Sequence, residues 1–288
     1  MKIVAIVQAR MGSTRLPDKV MKPINGTPMI ELLLSRLSHS KELDQIIVAT
    51  SIDDKNTPLV EHVISCGYAC ERGDEKNVLE RYISAAKKHQ TDIIVRITGD
   101  CPLVDPELVD ECIRRFKIEQ VDYFSNISPA TYPDGLDIEV FTLAALEKVK
   151  LESQDPYDHE HVTPYILNTD GFNKASMTND KDLSKHRWTV DELDDFKVIT
   201  DVFKHFSPDI LFSWEQVLEF QNSNPSVFKI NQEIQNNTNK AIELYPYAQI
   251  TRNKKPDDVM GFYILHEGFI GVFDEELKED DYDDIEDK

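Results

Sequence analysis

KIVAIVQARMGSTRLPDK, Lys2–Lys19, is the stretch from which the rest of the chain can be read. Lys2–Val7 is a nearly unbroken apolar run with strand propensity, suited to the first buried strand of a parallel sheet. Behind it come three cations (Arg10, Arg15 and Lys19), one glycine (Gly12), the hydroxyl residues Ser13 and Thr14, and a proline. A strand that ends in a cationic, glycine-containing loop and is followed by a helix is the way α/β folds hold a polyanion at the carboxyl edge of the sheet. The anion that suits it best is a nucleoside triphosphate. Two familiar phosphate motifs do not apply. Gly12 has neither the second glycine and GK pair of a Walker loop nor the partners of a GxGxxG fingerprint.

The pattern continues downstream. Strands are expected at Gln45–Ser51, Gly67–Glu71, Asp92–Thr98 and Val121–Asn126. Helices are expected at Met29–Leu37, Thr57–Ser65, Val78–Lys88 and Pro106–Lys117, the last capped by Asp105. Alternating βα units imply a three-layer α/β fold, a mostly parallel mixed sheet with helices on both faces. The turn-rich segment Pro129–Glu139 leads to a helix at Leu143–Leu151 capped by Thr142. Another helix is expected at Asp158–Asn168, strands at Phe172–Met177 and Arg187–Val190, and a closing helix at Leu193–Phe206. The polar run NQEIQNNTNK (231–240) reads as a linker, Gly261–Leu265 and Phe269–Phe273 as short strands, and Asp274–Lys288 as a solvated, flexible acidic tail. The expected organisation is a nucleotide- and sugar-binding domain over 1–235, an extension over 236–273 and the tail over 274–288.

Composition narrows the function. With 288 residues, 40% hydrophobic and 30% charged, the chain can bury one substantial core. Its net charge of −21 argues against a nucleic-acid partner. No apolar run is long enough to span a bilayer and no signal-peptide core is evident, so a cytoplasmic location is expected. Cys66 and Cys70 form a CxxxC pair without a matching His or Cys pair downstream, which is weak grounds for a zinc site; the four cysteines are expected to be reduced thiols.

Two more clusters carry chemistry. The strand Asp92–Thr98 runs into Gly99-Asp100-Cys101-Pro102, presenting one carboxylate at the tip where the Arg10–Lys19 loop must also converge. Mg2+ beside a triphosphate recruits one or two such hard oxygen ligands. With Asp105 placed to cap the next helix, Asp100 is left free. In RWTVDELDDF (Arg187–Phe196), Asp191 precedes a helix and is the second metal candidate, whereas Asp194 and Asp195 fit a helix-dipole role. His159-Glu160-His161 is not HExxH and is no zinc-protease site, but one histidine could reach a substrate.

ARMGSTRLPDK, INGTPMI (Ile24–Ile30), RGDEKNVLERY (Arg72–Tyr82), ITGDCPLVDP (Ile97–Pro106) and RWTVDELDDF together resemble the CMP-ulosonate cytidylyltransferases. TYPDGLDIEVF (Thr131–Phe141) and HEHVTPYI (His159–Ile166) resemble the spore-coat polysaccharide branch of that family. The resemblance covers roughly residues 1–235. It implies a Rossmann-like, nucleotide-diphospho-sugar-transferase-like fold and a CTP-dependent, Mg2+-assisted enzyme of surface-polysaccharide or glycan biosynthesis, with a homodimer as a further expectation. By it, Ala9, Arg10, Gly12, Ser13, Arg15, Lys19 and Gly99 would line the triphosphate, with Arg10, Arg15, Lys19 and Asp100 acting in catalysis. Arg72 and Asp74 would lie near base and ribose, and Asp100 and Asp191 would hold Mg2+. Tyr132, Asp134, Asp137, Glu139, His159 and His161 would receive the sugar. Cys101 stands where octulosonate enzymes usually carry an acidic residue, so this strand tip offers one carboxylate. Two alternatives stay open: a glycosyltransferase consuming a nucleotide-sugar, although GDCP has one Asp where a DxD pair is usual, and a silent nucleotide- or sugar-binding regulator.

Overall fold

In β1 (Ile3–Gln8) side chains alternate between two cores: Ile3, Ala5 and Val7 enter one, Val4 and Ile6 the other. This period-two alternation with both faces buried marks a central strand. The computed structural model describes residues 1–231, 268–273 and 276–281. After β1, a two-stranded hairpin of β2 (Pro23–Ile24) and β3 (Thr27–Pro28) turns through Asn25 and Gly26, both at positive φ, and delivers α1 (Met29–Leu37). There follow β4 (Gln45–Ser51), α2 (Thr57–Ser65), β5 (Ala69–Gly73), α3 (Val78–Lys88), β6 (Ile93–Thr98) and α4 (Pro106–Glu119). Asp105 caps α4 through the amides of Glu107 and Leu108.

The seven strands run in the order β5-β4-β1-β6-β8-β7-β9, with β7 at Tyr123–Ser125, β8 at Glu139–Thr142 and β9 at Lys174–Ser176. The first four are mutually parallel and β8 is antiparallel to both neighbours. The chain leaves β1 toward β4 and β5, then returns to β6 on the other side of β1. The tips of β1 and β6 therefore form the topological switch point at which open α/β sheets open a crevice.

Helices α1, α2, α4, α8 (Leu193–Phe206) and α9 (Trp214–Ser223) bury their apolar stripes on one face. The opposite face takes α3, α5 (Leu143–Glu152) and Val162 and Ile166 from the region of α6 (Pro156–His161) and α7 (Pro164–Asn168). The fully buried Arg36 on α1 donates to the carbonyls of Leu103, Val104, Ile210 and Phe212. That lone guanidinium satisfies four carbonyls of irregular chain and pins the loop after β6 to α1. A short α10 (Pro225–Phe228) closes this part.

Four expectations need correction. Asp158–Asn168 is not one helix: the Thr163-Pro164 junction breaks it, and Val162 sits at positive φ. Arg187–Val190 is not a strand; it makes an isolated bridge to Asp134, and its Val190 N–H donates to Asp100 O. β8 starts at Glu139, the last residue of the segment expected to be turn-rich, where no strand is expected. Further along, Met1–Ile234 and Gln235–Lys288 form separate compact units. In the second, β10 (Gly268–Phe273) pairs antiparallel with β11 (Glu276–Asp281), so part of the expected flexible tail is a strand. The Gly261–Leu265 strand, all of the 231–240 linker but Asn231, and residues 282–288 of the tail lie outside the described residues. Among the described residues no helix is long and apolar enough to cross a membrane.

Candidate active site

The loop after β1 is held by its own hydrogen bonds. Met11 N–H donates to the buried Asn56 side chain, Asp18 N–H returns to Met11 O, and Leu16 drops into the core. Lys19 then opens a single 3-10 turn and points back across the switch point. From the other side, Gly99 N–H donates to Gln8 O at 2.8 Å. A Cβ on Gly99 would stand 2.9 Å from Ala9 Cβ and 3.0 Å from Gln8 O, so the two strand tips can close this far only around glycine. The resulting cleft is lined by Gln8, Ala9, Arg10, Ser13, Thr14, Arg15, Lys19, Val20, Thr98, Gly99, Asp100 and Asp191.

Lys19 sits at its centre. Its ammonium donates to Asp100 Oδ2 at 3.2 Å, Asp191 Oδ1 at 3.0 Å and Val190 O at 2.7 Å, with the side chain only 11% exposed. Two carboxylates ninety-one residues apart thus converge on one cation. Arg15 reaches Asp191 Oδ1 at 3.0 Å from a more exposed position, and Arg10 pairs with Glu75 at 3.3 Å.

Behind Asp191 stands a second layer. Arg187 donates through Nε and Nη2 to both oxygens of Asp195, at 2.9 and 3.0 Å, and through Nη2 to Asp191 at 3.2 Å. Its Nη1 reaches Asp134 at 3.3 Å. Asp195, 2% exposed, also accepts the backbone amides of Asp191 and Glu192 in a capping box at the start of α8. Burial works against the charge of Asp191, but Lys19, Arg15 and Arg187 outweigh it and hold its carboxyl below the usual carboxylate range. Asp195 behaves alike: burial opposes its charge, and Arg187 with the two amides lowers the pKa. The opposite applies at Asp134, where burial raises the pKa against the pull of Arg187, and Asp100, Asp191 and Asp195 add repulsion. Water reaches Asp137, yet the surrounding protein thins its hydration. That effect, with the charges of Asp134, Glu139 and Asp100, pushes its carboxyl up to about 7 against Arg96.

The cleft therefore gathers Ala9, Arg10, Ser13, Arg15, Lys19, Gly99, Asp100 and Asp191, with Asp134 joined through Arg187. Other expected residues lie elsewhere. Gly12 is outside the lining, and a Cβ there would meet only Glu75 at 4.0 Å. Arg72 spends its guanidinium on the carbonyls of Ser51 at the end of β4 and of Ile52 and Asp53 just beyond it, and Asp74 accepts the amides of Lys76 and Asn77 in a turn before α3. Tyr132 packs edge-on against Trp214. Glu139 is buried, paired with Arg96 and accepting from the Tyr123 hydroxyl, so it is not offered to a sugar. His159 engages Ser153 O and His161 packs on Tyr157; α6 lies against α3, and neither histidine lines the cleft. Arg187 and Asp195 were missed as site residues, although the spacing Arg187, Asp191, Asp195 is a visible signal.

Comparison with known proteins gives the family. Residues 4–234 match the family described as Cytidylyltransferase, and the chain belongs to that family. It is 38% identical to the Methanocaldococcus jannaschii protein MJ1063 over 84% of this chain and 100% of that one. It is 30% identical to the spore coat polysaccharide biosynthesis protein SpsF of Bacillus subtilis over 77% of this chain and 95% of that one. A solved cytidylyltransferase from Leptospira borgpetersenii superposes with a TM-score of 0.78 at 36% identity, covering 82% of this chain and all of that one. Residues 215–288, partly overlapping the first match, are similar to the family described as the YidC periplasmic domain. The last fifty or so residues, beyond the stretch that the cytidylyltransferase resemblance covers, thus have a likeness of their own. The chain is a cytidylyltransferase-type enzyme with a mostly parallel, Rossmann-like sheet.

Proposed function

We propose that this enzyme moves CMP from CTP to a sugar hydroxyl and releases pyrophosphate, in the synthesis of a surface polysaccharide or glycan. The observation that carries the proposal is the convergence of Asp100 and Asp191, from two separate segments, on one cation beside Arg15 in a cleft at the switch point. Carboxylates of this kind, already sharing the Lys19 ammonium, fit a hard divalent cation such as Mg2+, which Asp100 and Asp191 would hold. Bound there, the ion would neutralise phosphate oxygens and lower the pKa of an attacking hydroxyl.

The chain's own residues account for the remaining work. Arg15 and Arg10, both substantially exposed, can turn onto the β,γ-phosphates as charge builds on the departing pyrophosphate. Lys19 balances the two carboxylates before any ligand arrives. Gly99 lets the backbone of β1 and β6 close on the nucleotide, and Asp195 with Arg187 keeps Asp191 at a fixed angle. Asp134 and Asp137, beside Asp100 in the local field, suit a hydroxyl-rich acceptor. Arg187, already shared among Asp134, Asp191 and Asp195, has little charge to spare for an acceptor carboxylate. An ulosonic or acylneuraminic acid is thus supported by family likeness, and a neutral or amino sugar by local charge. A cytoplasmic location agrees with the use of CTP and with four free thiols.

The test is to mix the protein with CTP, Mg2+ and a panel of ulosonic acids, neutral sugars and amino sugars, following pyrophosphate and the mass of any CMP-sugar. Formation of a CMP-sugar, abolished by Asp100→Asn with melting little changed, supports the proposal. Silence with every acceptor, together with hydrolysis of a nucleotide-sugar, refutes it.

A further inference from the structure

Away from the cleft, the last turn of α2 and the first turn of α1 bring together three side chains of different chemistry. His62 and Cys66 stand one helical turn apart, at i and i+4, and so share one side of α2. Both helices are seated on the same sheet face by Leu32, Leu33, Leu59 and Val63, which aims that side at Glu31 of α1. His62 Nε2 lies 3.0 Å from Glu31 Oε2, and Cys66 Sγ 3.6 Å from the same nitrogen. One donor atom from each residue falls within 4.8 Å of the other two. In a tetrahedral zinc site with ordinary bond lengths, neighbouring donor atoms are about 3.3–3.8 Å apart. The imidazole–thiol pair is already at that spacing, and the Glu31 oxygen, 3.0 Å from the imidazole nitrogen, lies just inside it.

We propose that Glu31, His62 and Cys66 form a binding site for a borderline divalent transition metal, Zn2+ foremost, with water completing the shell. One thiolate, one imidazole and one carboxylate make a donor set that favours such an ion over Mg2+ or Ca2+, which prefer oxygen alone. Charge supports this: thiolate, carboxylate and neutral imidazole together neutralise a dication. Binding of the ion exchanges the Cys66 thiol proton for the metal. All three side chains are half-buried, which leaves an entry path and a place for the fourth ligand. The pairing also corrects the weak CxxxC motif. Cys70 belongs to β5, and the partners of Cys66 are a histidine one turn earlier and a glutamate from another helix. An ion here would staple α1, which follows the cationic loop and its hairpin, to α2. None of the three residues lines the nucleotide cleft, so the site is independent of the proposed reaction.

The experiment uses the full chain, reduced and stripped with chelator, titrated with Co2+ as a spectroscopic substitute. One equivalent should give a thiolate-to-cobalt charge-transfer band in the near ultraviolet, and Zn2+ should bleach it and raise the melting temperature. Cys66→Ser should abolish the band, and His62→Ala and Glu31→Gln should each weaken binding about tenfold or more. Cobalt held only by Asp100 and Asp191 would give no thiolate band. A chain that shows no such band, or whose band survives Cys66→Ser, overturns the assignment. Circular dichroism of each metal-free variant separates lost ligation from lost folding.

Discussion

Replacing Lys19 by Met keeps most of the side chain's bulk and removes its charge, which tests whether this ammonium holds the two carboxylates together. Three contacts are lost, at 3.2 Å to Asp100, 3.0 Å to Asp191 and 2.7 Å to Val190 O. Hydrogen bonds to charged groups contribute about 1.5–3 kcal/mol each, so the two carboxylate contacts set a gross loss of about 3–6 kcal/mol. The carboxylate side chains are 28% and 22% exposed, and Asp191 keeps Arg15 and Arg187. Screening and these remaining partners reduce the expected net loss to about 2 kcal/mol. In a unit the size of Met1–Ile234 that lowers the melting temperature by about 4–8 °C. Divalent cation should then recover much of the loss. An ion at ten times its Kd contributes about 1.4 kcal/mol, and in the variant it has no ammonium to compete with. The assay is thermal melting of wild type and Lys19→Met across a Mg2+ or Mn2+ titration. If the variant melts with wild type, or if the ion stabilises both equally, Lys19 is not the charge that balances Asp100 and Asp191.

Asp195→Ala should destabilise by about 2 kcal/mol at neutral pH, because it takes the bidentate partner from Arg187, which keeps only Asp134 and Asp191, and leaves two backbone amides unpaired. Since the folded state lowers the Asp195 pKa, the contribution is complete above about pH 5 and is lost as pH falls below about 4. Denaturant melts of the two proteins should therefore converge in acid; a constant gap would refute the ionic account. Asp137→Asn should have the opposite signature. The folded state raises the carboxyl to about 7, so wild-type stability falls as pH climbs from the unfolded carboxylate value to that point and is level above it. The variant should melt higher than wild type near pH 8.5 and with it near pH 4 (both about); equal melting at both ends would refute the crowding of charge there. Gly135→Ala should lose more than about 2 kcal/mol, because Gly135 holds φ +107 and a Cβ would lie 2.5 Å from Thr189 N. Stability near wild type would mean the Asp134–Arg187 bridge can part without harm.

Much of the first half of the fold was legible because its signals are local. Helices Met29–Leu37, Thr57–Ser65 and Val78–Lys88, and α8 further on, have the bounds that apolar periodicity predicts, and Asp105 and Thr142 cap where their side chains allow. The middle was harder. β8 has a pattern that a turn-rich segment masks, and it becomes a strand by pairing between β6 and β7. Arg187–Val190 has strand-like residues but bonds to Asp134 and Asp100 rather than to a sheet edge. Residues such as Glu139 and His159 have the chemistry of a sugar site in sequence, and their environment turns them to structural work.

What the amino-acid order determined alone is the succession of βα units and a cationic loop joined to the first strand, since neighbouring residues settle propensity, capping and alternation. Which charges share a pocket was decided only when the chain crossed back over β1. Asp100 and Asp191 meet Lys19 because the return of β6 beside β1 and the cap of α8 carry them there, and Coulomb interaction depends on distance in space, to which separation along the chain is no guide.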